Sequence, residues 1–208
     1  LPLDKIAGTR VKYEDGKIVK NMPRPLTNIN EIIPDFSLFD ERRFLRPLGA
    51  IIWKAIPVET YRGCPYQCAF CNSPTQMVLA REKKQGVYIR RKSMETIRKE
   101  LRSMVDKYEP TFLYINDDAF MARPKRELYE FSKMYEEFKL PFWCQTRFED
   151  IDDEKLTWLK SVGLYRMSFG LEHGNEEYRK KRLHRAIRNE TMIEKAQLLG
   201  QHEIPYSV

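Results

Sequence analysis

The sequence predicts an α/β protein built on a parallel sheet, and three observations carry that prediction. Beyond residue 90, short β-rich runs alternate with segments whose apolar residues recur every three or four positions, which is the pattern of strands joined by helices. Each run lies one helix away from the next, as right-handed crossovers between parallel strands require. Of the 208 residues, 42% are hydrophobic and 32% charged, enough apolar surface for one sizeable core with an appendage and too much for a disordered chain.

Residues 1–56 read as an entry segment. Val11-Lys12-Tyr13 and Lys17-Ile18-Val19 flank Glu14-Asp15-Gly16, and Asp-Gly between alternating apolar positions predicts a hairpin. Prolines at 23, 25, 34 and 47 then exclude regular helix or central strand. The apolar residues of this stretch, among them Ile32, Ile33, Phe36, Leu38, Phe39, Phe44 and Leu45, would lie along the surface of the next domain.

Ile56 to Thr60 reads as a short strand running into a Gly/Pro-marked loop. Ser93 is a candidate N-cap for a helix carrying Met94, Ile97, Leu101, Met104 and Tyr108 on one face. Thr111 to Asn116 is the second strand. Leu128, Phe131, Tyr135 and Phe138 mark a helix with Pro124 near its first turn. Pro141–Thr146, the helix Glu154–Val162, Leu164–Leu171, the helices Glu176–Leu183 and Glu190–Gly200, and a strand opening at Ile204 complete the alternation. Five strand starts result, and the Met and aromatic positions on these helices are core. A first residue other than Met and a last strand just beginning read as a piece of a longer chain.

The formal net charge is +7, but the basic clusters at 83–84, 90–92 and 179–182 are interleaved with acids and lack the aromatic stacking pattern of a single-strand binder. This favours a solvated surface over a nucleic-acid interface. No apolar run approaches the ~18 residues that span a bilayer, and no signal peptide opens the chain, which places the protein in the cytoplasm.

The chemistry concentrates in Tyr61-Arg62-Gly63-Cys64-Pro65-Tyr66-Gln67-Cys68-Ala69-Phe70-Cys71-Asn72-Ser73-Pro74. Three of the four cysteines stand at Cys-x3-Cys-x2-Cys spacing, so Cys64, Cys68 and Cys71 are candidate metal ligands. A closed zinc site would want a second short-spaced pair, whereas Cys144 is alone and His173, His184 and His202 form no ligand pair. An odd trio is no disulfide framework. A [4Fe–4S] cluster with three protein ligands and one open iron fits, beside the plainer readings of a zinc, electron-transfer or redox-inert cysteine loop.

This stretch, with Phe70 directly before the last cysteine, resembles the signature of the radical SAM superfamily. The resemblance implies a partial (βα)6 barrel, here incomplete at its C-terminal end. It also implies that S-adenosylmethionine chelates the open iron and is cleaved reductively to a 5′-deoxyadenosyl radical, with flavodoxin or ferredoxin as a suitable electron donor. Residues 57–208 would form that core. Asp35 to Asp40, Asp-Phe-Ser-Leu-Phe-Asp, resembles the connector that follows a cobalamin-binding domain, so residues 1–56 would link to such a domain upstream. Cobalamin-assisted methyl transfer, or other radical chemistry on an unactivated centre of a small molecule, is the activity implied. A tRNA methylthiotransferase shares the cysteine spacing but needs three further cysteines upstream, and residues 1–56 contain none.

Ligands of parallel α/β sheets sit at the carboxyl ends of strands, which singles out three further places. Asp117 and Asp118 follow the second strand, where the resemblance places Gly-Gly-Glu in most members and Asp-Asp-x-Phe in cobalamin-dependent ones. Adjacent carboxylates repel unless a cation is near, and the ammonium of S-adenosylmethionine is one. Arg147 ends the third strand, able to clamp a carboxylate or to pair with Glu149 or Asp150. On the fourth strand Ser168 and Glu172 can bond ribose hydroxyls, with Gly170 permitting close backbone approach. Cys144 reads as an apolar strand residue and His173 as structural or exposed.

Overall fold

The computed structural model describes residues 2–208, and the predicted alternation is present. The Asp-Gly hairpin pairs β1 (Arg10–Lys12) with β2 (Ile18–Lys20), Gly16 taking φ 83°. A second hairpin, absent from the sequence reading, joins β3 (Leu45–Leu48) to β4 (Ile51–Val58). Its two-residue turn has φ 61° at Gly49 and 60° at Ala50, the left-handed pair that matches strand twist. Next come β5 (Tyr61–Arg62), α1 (Ser73–Glu82), β6 (Arg90–Arg91), α2 (Met94–Tyr108), β7 (Phe112–Ile115), α3 (Lys125–Tyr135) and β8 (Phe142–Thr146). The chain continues through α4 (Asp153–Ser161), β9 (Leu164–Phe169), α5 (Glu176–Arg182), α6 (Asn189–Gln201) and β10 (Tyr206–Ser207).

The main sheet has the order β10-β9-β8-β7-β4-β3. Its first five members are mutually parallel, and β3 runs antiparallel along the β4 edge. Chain neighbours are therefore space neighbours, and the sheet curls into a half-barrel with helices outside. The outward face buries Ile56, Val58, Leu113, Ile115, Phe142, Cys144, Met167 and Phe169. Against them pack Leu101 and Met104 of α2, Leu128 and Phe131 of α3, Leu156 and Leu159 of α4, and Leu199 of α6. The concave face carries a smaller cluster of Ala55, Phe112 and Trp143, flanked by Trp53 and Tyr165.

Local chemistry sets the element ends. Ser93 caps α2, its Oγ accepting the Thr96 N–H at 3.1 Å, and the Asp152 side chain caps α4 by accepting from Lys155 at 3.1 Å. Pro124 sits immediately before α3. The carbonyls of Lys54 and Val58 accept N–H groups from the β7 side, so the alternate residue Pro57 turns its donorless nitrogen toward the free edge, where a proline is tolerated.

Three points add to the expectations. The 56/57 division falls within β4, and β3 pairs with that strand's earlier part. The entry segment packs in part: Phe36 lies 5.8 Å from Phe44 and 6.2 Å from Tyr108 between ring centroids, while Ile33 and Leu38 stay exposed. Helix α1, which the sequence reading left out, buries only Ser73 and Ala80 and so has almost no amphipathic pattern to read. Among the described residues no helix is long and apolar enough to cross a membrane.

Candidate active site

The three cysteines lie on an excursion at the carboxyl end of β4. Its base is a two-residue ribbon, Tyr61↔Arg91 and Arg62↔Arg90, continued by Lys92 N–H donating to the Thr60 carbonyl at 2.9 Å. Gly63 opens the loop at φ 99°, and a Cβ there would sit 2.9 Å from the Tyr88 carbonyl, so a side chain has neither the conformation nor the room. Side chains and backbone then tie the loop to the ends of the neighbouring strands. Asp118, after β7, accepts the Gly63 N–H at 3.2 Å. Tyr66 donates its hydroxyl to Asp150, beyond β8, and the Ala69 N–H donates to the Leu183 carbonyl, beyond β9, at 3.1 Å.

Two of the three sulfurs accept an N–H hydrogen bond, and burial pushes the thiol of the third, Cys64, up, with the Tyr66 backbone opposing it. Cys68 Sγ accepts from Arg147 Nη1 at 3.6 Å, and Cys71 Sγ accepts from the Ser73 N–H at 3.4 Å. All three thiols are free, Cys64 and Cys68 half-buried and Cys71 exposed. Donors aimed at sulfur stabilise thiolates and set the electronics of iron–sulfur centres. Among the described residues no three His, Cys, Asp or Glu side chains converge on one ion position. Cys144 is fully buried in the outward core and burial pushes its thiol up, which agrees with its reading as an apolar strand residue.

The adjacent carboxylates divide. Asp117 is fully buried, and its oxygens accept from the Thr60 N–H at 2.7 Å, the Tyr61 N–H at 3.0 Å, the Thr60 hydroxyl and Arg123 Nη2 at 2.6 Å. The cation answering this carboxylate is therefore Arg123 of the protein, and Asp117 has no oxygen left for a ligand. Its placement as a cofactor contact is corrected on that ground. Asp118 points out and is exposed, with a single bond to Gly63.

Arg147 pairs with Glu149, both through Nε at 3.2 Å and through Nη2, so its fork is already occupied. Its guanidinium carbon lies 3.9 Å over the Tyr66 ring, a cation–π contact that leaves Nη1 aimed at Cys68. Asp150 completes the clamp by accepting from Thr146 Oγ1 at 2.7 Å and from the Arg147 N–H at 3.2 Å. Burial and this carboxylate push the Tyr66 phenol up, which keeps it a donor.

Glu172 adopts φ 66° and folds back on its own strand, one oxygen accepting from the buried Arg185 at 2.8 Å. A Cβ at Gly170 would lie 2.3 Å from that oxygen and 2.8 Å from Arg185 Nη1. The close approach Gly170 allows is thus to Glu172 itself. Ser168 stands on the concave face, its Oγ bonded to Trp143 Nε1 at 2.9 Å and to Ser207 Oγ at 2.7 Å. Phe70 is 55% exposed beside Cys71, leaving its ring free to cover a ligand. His173 accepts the Asn175 N–H at 2.9 Å and packs on Tyr178, an exposed local role.

Three participants escaped the sequence reading: Tyr66, Arg123 and Arg185. Tyr66 could have been suspected from its place inside the cysteine spacing; the other two carry no pattern. The floor of the concave face is a Tyr114–Trp143 stack with centroids 4.0 Å apart. Beside it, a cavity of about 710 Å³ opens along the free edge of β4, lined by Phe39, Arg43, Arg46, Pro57, Tyr114 and Asn116 among others.

Comparison with known proteins agrees with this geometry. The family profile described as the Radical SAM superfamily matches residues 58–208. An uncharacterized methyltransferase from Pyrococcus horikoshii is 27% identical over 165 residues, 76% of this chain and 33% of the relative. Among solved structures, the cobalamin-dependent S-adenosylmethionine radical enzyme OxsB with aqua-cobalamin bound superposes with a TM-score of 0.74 at 20% identity, covering 99% of this chain and 29% of that one. The radical S-adenosylmethionine methyltransferase TsrM from Kitasatospora setae, with tryptophan substrate and an S-adenosylmethionine analogue bound, gives 0.66 at 14% identity over 98% of this chain and 40% of that one. At these identities the structural likeness speaks for the fold. The chain spans about a third of the curated relative it matches.

Proposed function

The chain belongs to the radical SAM superfamily, and from that premise we propose that it is the cluster-bearing core of a cobalamin-assisted methyltransferase acting on a small molecule. The observation that carries this reading is the trio of cysteines on one loop tied to the ends of three parallel strands, with N–H donors on the sulfurs of Cys68 and Cys71. Cys64, Cys68 and Cys71 would hold a [4Fe–4S] cluster with one iron open. When bound, the cluster supplies the electron that splits S-adenosylmethionine and starts radical chemistry at an unactivated centre.

The chain's own residues orient the reactants. The free oxygen of Asp118 is placed to take the ligand's ammonium, Ser168 and the second oxygen of Glu172 its ribose hydroxyls, and Phe70 to exclude water above it. Arg147 acts through Cys68 rather than on the ligand's carboxylate, since Glu149 holds its fork. A reduced flavodoxin or ferredoxin is the electron source this reading needs. Fold likeness to the cobalamin-dependent enzyme OxsB over almost the whole chain supports the cobalamin part, and the methyltransferase names of TsrM and the curated relative support methyl transfer. In this reading residues 1–56 connect to a cobalamin-binding domain.

Anaerobic reconstitution followed by iron and sulfide counting tests the cluster. About four irons are expected, and reductive cleavage to 5′-deoxyadenosine should depend on all three cysteines. One zinc and no cleavage would leave a metal-binding module instead. Iron on all three cysteines together with product on tRNA would move the reading to a methylthiotransferase.

A further inference from the structure

On the outer side of the cysteine excursion, away from the concave face, lies a cleft of about 940 Å³ between residues 8–27 and the end of α1. Seven basic side chains and a single acidic one, Glu82, line it. Arg62 is matched by Glu59, at 2.6 Å and 2.5 Å. The other six, Arg10, Lys20, Arg24, Lys83, Lys84 and Arg90, make no ion pair among the described residues. Six cations outside any ion pair, with one carboxylate among them, are conspicuous in a chain whose net charge is +7. The same residues look interleaved with acids along the sequence; folding separates them into one place.

The cleft is built rather than a chance of side-chain posture. Its two walls are bonded to each other, the Leu26 N–H donating to the Gln85 carbonyl at 2.7 Å and the Gln85 side chain to the Arg24 carbonyl at 2.8 Å. Arg90 is held by the carbonyls of Thr27 at 2.9 Å and Tyr88 at 3.3 Å. The Arg24 stem packs over Gly8, where a Cβ would come within 3.0 Å of its Cγ. Burial and the nearby Arg62 charge lower the Arg90 pKa, only partly offset by the Glu59 carboxylate.

We propose that this cleft binds a small ligand carrying two or more phosphate groups. Guanidinium forks match phosphate oxygens in pairs, and the volume is that of a small-molecule site rather than a flat protein interface. No aromatic side chain lines it, so it lacks the stacking platform that a single nucleic-acid strand would use.

The test is calorimetric titration of the protein with inorganic tripolyphosphate at about 50 mM and 200 mM salt, with no cluster required. Saturable one-to-one binding that weakens with salt is expected. The double variant Lys83→Glu/Lys84→Glu changes two exposed residues without internal partners and should weaken binding at least about tenfold, the loss of one charge-assisted contact. The same charge change at Lys180→Glu/Lys181→Glu on α5 should leave it unchanged. Absence of saturable binding, or equal weakening by both double variants, overturns the proposal. So does a single-stranded oligonucleotide that binds more than about tenfold tighter than tripolyphosphate through the same lysines, which would make the cleft part of a nucleic-acid surface.

Discussion

Replacing Asp117 by Asn separates structural from ligand-binding carboxylates. The side chain is fully buried and takes four donors, two backbone N–H groups, the Thr60 hydroxyl and Arg123. Asn presents an NH₂ toward donors on one side and leaves the buried guanidinium of Arg123 without its counter-charge. Removing one partner of a buried ion pair costs about 3–5 kcal/mol. At roughly 2–4 °C per kcal/mol for a domain of this size, the melting midpoint should fall by about 6–20 °C. Asp118→Asn, which touches one long, half-buried bond of an exposed side chain, should stay within about 0.5 kcal/mol of wild type yet weaken S-adenosylmethionine roughly tenfold or more, as a lost charge-assisted contact does. Thermal unfolding without the cluster gives the first quantity, and ligand titration of the reconstituted protein the second. Wild-type melting of Asp117→Asn with selective loss of ligand affinity would refute the assignment.

The remaining expectations follow the same geometry. Cys64→Ala, Cys68→Ala and Cys71→Ala should each abolish the broad visible absorption of the reconstituted protein, whereas Cys144→Ala should keep it and cost about 1 kcal/mol in urea unfolding. Gly63→Ala places a Cβ 2.9 Å from the Tyr88 carbonyl at a left-handed φ, so iron occupancy should drop with the sheet intact by circular dichroism. Tyr66→Phe removes the hydroxyl bonded to Asp150 and should shift the cluster's midpoint potential and speed iron loss to a chelator, while the melting midpoint moves little. Gly170→Ala would drive a methyl against the Glu172 and Arg185 side chains; the expected result is weaker S-adenosylmethionine binding with iron unchanged.

The parallel strands and their helices were legible because their signals are local: a Ser93 cap, a 3.6-residue stripe from Met94 to Tyr108, β-rich runs at 111–116 and 141–146. The cysteine loop was legible because spacing alone defines it. Illegible features have contacts in place of patterns. Helix α1 buries too little to show periodicity, and the β3–β4 turn uses Gly49-Ala50, which lacks the usual Asn or Asp. That Asp117 belongs to Arg123 while Asp118 does not is a matter of which way two neighbours point from the end of a strand. The basic cleft shows the opposite failure, since alternation along the chain hid a separation of charge in space.

Pro57 gives the sheet a direction of growth. Above β3, the free edge of β4 offers the carbonyls of Ala55 and Pro57 but an N–H only from Ala55, so an added strand could not complete its ladder there. At β10 no such obstacle exists. A strand added directly along this stretch of β4 would leave a gap at Pro57, and it is here, beside the Tyr114–Trp143 stack, that the cavity of about 710 Å³ opens.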